Sequence, residues 1–329
     1  MMWFDELTGF SEQDVLNVAD EFEVDGDHLT SHHNGRRMCS GRFENPSLAE
    51  LQEQMPAANG RPTTVREIVA DVQALHRDDA NAGALFQVAS QFNTLEMASP
   101  SVTPEAGVSG YEYDHTQGPA CAIACGAGTI WRNYFADVDG ERGQTADRQI
   151  DNLADLVNNA GATVTMRNGY ALPTDQQLRT LVTHIESLDA DQRSALGSLL
   201  RVGIQWNAEV TLGGAGHTVT QAYCSGVPIA YSSQTSEAWE SLARLILDAT
   251  YDATLTAGRT NAQATGNSTV YLTLIGGGVF GNPAAWIVNA IETAIERHAD
   301  SGLDVVIVSY GGPNARLSGL IDRKDVAGA

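Results

Sequence analysis

Lysine is almost missing from this chain: the 329 residues contain one, Lys324, and 41 acids face only 19 basic residues, for a formal charge of −22. A surface of that sign repels phosphates and anionic lipid, so neither nucleic acid nor a membrane is expected as a partner. Long apolar runs are missing too. No stretch approaches the ~18 apolar residues of a membrane span, and residues 1–6 show no basic region followed by an apolar segment. Cytoplasmic location is the default expectation. Cysteine is scarce, and Cys39, Cys121, Cys125 and Cys224 are too few and too scattered for a disulfide framework. Cys121 and Cys125 share a helical spacing but lie among Ala120, Ala122, Ala124, Gly126 and Ala127, which suits small buried thiols in a close helix contact. His28, His32 and His33 read as a polar loop, and no histidine is near enough in sequence to argue for zinc. Neither a metal nor a cofactor is assigned. Repeats and low-complexity tracts are also absent.

A hydrophobic content of 43% is enough to bury one large core or two modest ones, and the length alone suggests about two domains. The most informative segment is 270–283. Residues 270–275 are rich in β-branched and aliphatic side chains, as in a strand covered on both faces. Gly276, Gly277, Gly278 and Gly281 then strip the Cβ atoms from a turn, so that backbone N–H groups can approach a ligand closely. Asn282 and Pro283 read as an N-cap and a first-turn proline. From Ala284 a stripe of Ile287, Val288, Ile291, Ala294 and Ile295 predicts an amphipathic helix. Residues 304–310 form the next strand. The whole is one βαβ unit with an anion-sized loop at a helix N-terminus, its ligand expected at the carboxyl ends of the strands. A tight turn with no ligand is the alternative.

Residues 84–90 predict the first central strand, and it runs into the polar cluster 91–96, where α/β sheets place ligand groups. A long loop follows over 100–119, with two tyrosines among its glycines, and then a helix over 120–134 whose Ala/Gly-rich start can approach a ligand. Residues 46–50 and 62–67 look like helix starts, the second with Thr64 and Glu67 at capping-box spacing. The stretch 136–200 reads as polar and helix-rich, with helical spacing over 147–157 and 174–185. Residues 202–211 and 218–224 alternate as neighbouring strands, and 237–257 as a long amphipathic helix.

From Ser241 to Tyr310 the helix carrying Ala249-Thr-Tyr-Asp-Ala253, the strand, Gly278-Val-Phe-Gly-Asn-Pro283, the alanine- and isoleucine-rich helix and Val305-Val-Ile-Val308 follow in the order of a macrodomain's C-terminal half. The chain resembles that family over about a quarter of its length. The macrodomain's glycine-rich first loop is not reproduced at 87–93, and the loop continuing to Gln117 is more similar to the poly(ADP-ribose) glycohydrolase-like branch. The resemblance implies a three-layer α/β/α mixed sheet, here with an N-terminal flank over 1–80, a core over 81–320, a helical insertion at about 136–200 and a tail over 321–329. It further implies a glycine loop wrapped around the diphosphate of ADP-ribose, and in some members hydrolysis of the ADP-ribosyl linkage.

Breaking a glycosidic bond at the ribose anomeric carbon needs a carboxylate and a group that helps the leaving atom. Glu96 and Asp114 are the candidate catalytic acids. A solvated acid at a strand end and a helix-capping turn residue are their respective alternatives. The candidate ligand contacts are Asn93, Thr116, Gln117, Gly118, Gly276, Gly277, Gly278, Val279, Phe280, Gly281, Asn282 and Tyr310. His115 and Glu209 are weaker candidates. The expected partner is ADP-ribose or an ADP-ribosylated protein or small molecule. A non-catalytic module that binds ADP-ribose is the rival, and a doubly wound enzyme for another phosphate ligand a third possibility. A nicotinamide-dinucleotide fold is disfavoured because the strand after the loop closes in Ser309-Tyr310 rather than on an acid.

Overall fold

The computed structural model describes residues 2–321, so the tail expected over 321–329 lies outside the described residues from 322 on. Its centre is a seven-stranded sheet: β1 (Arg42–Glu44), β2 (Thr64–Val69), β3 (Leu85–Ala89), β4 (Gly203–Glu209), β5 (Thr218–Cys224), β6 (Thr269–Leu272) and β7 (Asp304–Ser309). The spatial order is β1-β4-β5-β3-β6-β7-β2. Strands β5, β3, β6, β7 and β2 run parallel, whereas β4 is antiparallel to both β5 and β1. The mixed α/β sheet expected from the sequence is therefore present, including the pairing of 202–211 with 218–224.

Strands β3, β6 and β7 are apolar on both faces, whereas the edge strand β2 exposes Thr64 and Arg66. Leu85, Val270, Val305 and Ile307 point into one core, while Phe86, Tyr271 and Val306 point into another. The period-2 alternation forces this split, and both faces need a helical cover. The first face is covered by α6 (Ser236–Thr265), which packs against α1 (Leu48–Gln54), α5 (Asp175–Ser187) and α7 (Ala284–Arg297). The second is covered by α2 (Val72–Arg77), α3 (Gln117–Ala124) and α4 (Gly126–Tyr134). Three layers result. A separate core of Phe4, Phe10, Phe22, Leu29 and Met38 joins a small three-stranded sheet near the N-terminus to α3 and α4.

Several local expectations are corrected. Residues 62–67 do not start a helix. They lead into β2, which pairs with β7 over six positions. Thr64 donates to Asp304, and Glu67 accepts from the Ser309 hydroxyl and the Asn314 amide, so neither side chain caps a helix. Residues 147–157 are helical only within Ala154–Asn159, because the Asn152 backbone bonds Phe92 and Arg201 instead. The 136–200 stretch also holds two short β-ribbons. His28 heads a strand rather than lying in a loop. The loop 100–119 contains two 3-10 turns, Pro104–Ala106 and Ser109–Tyr113. Its following helix begins at Gln117 rather than 120 and breaks at Cys125 before α4. Cys121, Cys125 and Cys224 are buried thiols, their acidity reduced by burial.

Candidate functional site

Strands β3 and β6 pair only at Leu85 with Val270 and Phe86 with Tyr271, and beyond that point they diverge. Glutamine side chains fill the split. Gln117 accepts from the Ala89 amide and donates to the Gln87 carbonyl, 2.8 Å in both cases, taking the place of a continuing strand along β3. Gln87 is buried, donates to Thr254 and accepts from the Thr273 amide. The sheet thus opens at the carboxyl ends of its central parallel strands, where ligands of α/β folds bind.

The glycine loop forms one wall. Its φ is positive at Gly276 (+72°) and Gly281 (+75°), a backbone state natural to glycine. A Cβ on Gly276 would meet the side-chain nitrogen Nδ2 of Asn282 at 2.6 Å. Asn282 is buried and donates to the Val227 carbonyl and to the Gly276 carbonyl, tying the loop to the chain that leaves β5. The amides of Gly277, Gly281 and Asn282 are used inside the loop. Those of Gly278, Val279 and Phe280 donate to no group among the described residues, and Gly278 faces open space. From below, the Tyr251 hydroxyl donates to the Thr273 carbonyl and accepts from the Ile275 amide.

Opposite, residues 91–97 fold back under the end of β3. The Gln91 amide bonds the Leu95 carbonyl, the Gln91 side chain accepts from the Met97 amide at 2.6 Å, and Asn93 caps the turn by accepting from the Leu95 amide. The turn buries Glu96, leaving it 3% exposed. Its carboxylate lies 3.4 Å through each oxygen from the guanidinium of Arg132, itself fully buried, and Tyr111 bonds the Glu96 amide. Burial pushes the Glu96 carboxyl up to about 7, against the opposing pull of Arg132. Arg132 also donates to the Thr94 carbonyl and stacks over the Tyr223 ring at 3.5 Å, and its Nη1 has no partner among the described residues.

The first turn of α3 closes the site. A Cβ on Gly118 would stand 1.9 Å from the Ala89 carbonyl oxygen and 3.2 Å from Glu96 Cγ, so this close approach requires glycine. Between these walls lies a cavity of about 350 Å³, lined among others by Ser90, Glu96, Asp114, Thr116, Gln117, Gly118, Gly226, Thr273, Gly276, Gly278, Val279 and Phe280. Its size falls within the range of small-molecule sites. Tyr170, Tyr231 and Phe280 form an aromatic cluster on one side, with ring centroids 5.2–5.8 Å apart. Among the described residues, no arginine lines it.

Of the residues singled out from the sequence, Glu96, Asp114, Thr116, Gln117, Gly118, Gly276, Gly278, Val279 and Phe280 come together around this cavity. Asn93, Gly277, Gly281, Asn282 and Tyr310 do not line it. Asn93 is buried beneath the turn and donates to Gln149. Gly277 rests on Ile287 of α7, Gly281 on Ala230. Asn282 is not an N-cap, since Pro283 holds that position, and Tyr310 is 87% exposed outside the cavity. Asp114 accepts from the Thr116 amide rather than capping a helix at Ala120. His115 is exposed, and Glu209 accepts from the Cys39 amide away from the cavity. Sequence reasoning missed Arg132, Tyr170, Tyr231 and Gly226. Gly226 follows the carboxyl end of β5, so the strand-end rule that selected 91–96 would have found it. Arg132 carries no such signal, being one arginine in a helix 36 positions from its acid.

The chain is similar in structure to poly(ADP-ribose) glycohydrolases. The enzyme from Thermomonospora curvata matches with 14% identity over 91% of this chain and 93% of its own, TM-score 0.42. That from Deinococcus radiodurans, solved with ADP-ribose, matches with 12% identity over 87% and 94%, TM-score 0.44. The Oceanobacillus iheyensis macrodomain, solved with MES bound, matches with 14% identity over 87% and 97%, TM-score 0.34. No protein-family model and no curated protein matches the sequence.

Proposed function

We propose that the cavity binds ADP-ribose, free or attached to a protein or small molecule, and that Glu96 serves hydrolysis of the ADP-ribosyl linkage. The observation that carries this reading is the juxtaposition of three unused loop amides, at Gly278, Val279 and Phe280, with a buried carboxyl across one cavity. Backbone amides beside a helix start suit a diphosphate, and among the described residues no cationic side chain lines the site to assist them. The aromatic cluster offers ring faces to a nucleoside. A carboxyl that titrates near 7 is suited to donate a proton to a leaving oxygen or nitrogen at neutral pH. Asp114, half-buried at the mouth, is the second acid within the site.

The non-catalytic reading has one specific support. Arg132 and Tyr111 both hold Glu96, an arrangement that would also serve to fix the 91–97 turn. Calorimetric titration of ADP-ribose into the parent protein and Gly278→Glu tests binding. Micromolar affinity lost in the variant is expected, and no heat from the parent would send the search to other phosphate ligands. Release of ADP-ribose from a modified substrate, compared between parent and Glu96→Gln, then separates enzyme from binding module. Retained binding with turnover reduced by ~10² or more is the enzymatic outcome. Undiminished turnover would remove Glu96 from the chemistry.

A further inference from the structure

On the far side of the molecule the small N-terminal sheet carries a cluster that the cavity does not use. Its middle strand, His28–Ser31, pairs antiparallel with Arg37–Cys39, and the register sets His28 directly opposite Cys39. Asp27, the last residue of the preceding turn, places Oδ1 2.6 Å from His28 Nδ1. A carboxylate oxygen, an imidazole nitrogen and the Cys39 sulfur all lie within 4.8 Å of one another. The turn is held in place, because the Asp27 carbonyl accepts from both the amide and the hydroxyl of Ser40. Cys39 is anchored as well: its amide donates to Glu209 at 2.9 Å, and Glu209 belongs to β4. The three donors are half-open to solvent, with Asp27 the most exposed.

We propose that Asp27, His28 and Cys39 bind a zinc-class divalent cation. Sulfur and imidazole together favour zinc over magnesium or calcium, which take oxygen donors. Three protein donors leave a fourth tetrahedral position to water. Binding forms the metal–sulfur bond and releases the Cys39 thiol proton to solvent. The bound ion would fasten the turn at Asp27 to the strand ending at Cys39. Through Glu209 it would fix the small sheet to the edge of the large one.

The test uses the full chain, reduced and stripped with a chelator, titrated with cobalt(II). One equivalent taken up with a thiolate-to-cobalt charge-transfer band, then displaced by zinc, is the expected result. Cys39→Ser should abolish the band, and His28→Ala should weaken uptake by more than ~10-fold. Far-ultraviolet circular dichroism of the metal-free variants checks that they fold. Failure of the parent to bind cobalt, or a band that survives Cys39→Ser, would overturn the proposal. Neither result bears on ADP-ribose binding, because the cluster and the cavity share no residue.

Discussion

Glu96 holds its proton to about 7 in the folded chain and to the ordinary 4.5 when unfolded. Between those values the folded state binds the extra proton, so stability falls as pH rises through this window and the loss is complete above about 7. The ceiling is about 3 kcal/mol. Glu96→Gln cannot titrate, and its unfolding free energy relative to the parent should move in the variant's favour from pH 5 to pH 8. Denaturant unfolding at both pH values measures this, and a constant gap would mean that Glu96 ionises normally. If Glu96 donates the proton in catalysis, the rate should decline as pH rises through about 7, since the carboxylate has no proton to give. Two glycines should behave in opposite ways. Gly118→Ala drives a Cβ against the Ala89 carbonyl and should cost about 1–3 kcal/mol or more. Gly278 faces open space, so Gly278→Glu should leave stability within about 0.5 kcal/mol while blocking the cavity. Thermal melts of the two variants side by side check the contrast.

At the scale of elements, the cleft exists because β6 stops pairing with β3 after two residues and side chains take over. Tyr251 of α6 is the clearest strut, since one hydroxyl serves both the Thr273 carbonyl and the Ile275 amide. Tyr251→Phe would leave the Thr273 carbonyl and the Ile275 amide only their 3.0 Å bond to each other, at a cost of about 0.5–1.5 kcal/mol per lost bond. It should also loosen the glycine loop, so ligand affinity should fall although Tyr251 does not line the cavity. Chemical denaturation and ADP-ribose titration of the same preparation read both effects, and normal affinity would show that the loop holds itself. Elements were legible in the sequence wherever local pattern and tertiary use agreed. The strand–glycine loop–helix–strand unit from Thr269 to Ser309 is such a case, as its periodicity and its burial coincide. They were misread where polar side chains had distant partners. Thr64 and Glu67 have the spacing of a capping box but satisfy groups some 240 positions away.

For the molecule as a whole, the acidic balance sets the terms of binding. Among the described residues no cationic side chain lines the cavity, and the net charge of −22 repels an incoming anion. Raising salt from about 0.1 to 1 M shortens the screening length from roughly 10 to 3 Å. Association with ADP-ribose should therefore quicken, and affinity should hold or improve, because the attractive amides act at contact distance while the repulsion is long-ranged. Stopped-flow measurement across that range decides it, and a steep loss of affinity with salt would point to a cationic contact. No helix among the described residues is long and apolar enough to cross a membrane.

The sequence by itself determined the layered α/β architecture, the strand that feeds the glycine loop, and the two stretches, 91–96 and 114–118, whose residues reach the cavity. Those features are encoded by neighbours within a few positions: apolar alternation, glycines where Cβ atoms do not fit, polar groups at strand ends. Only the tertiary structure decided which polar residue meets which. It put Arg132 beneath Glu96, set Gln117 along the edge of β3, moved Asn282 from ligand contact to loop strut, and brought His28 to Cys39 across a strand pair. Each of these pairings joins residues at least six positions apart whose local patterns are independent, so nothing in either segment alone could specify the other.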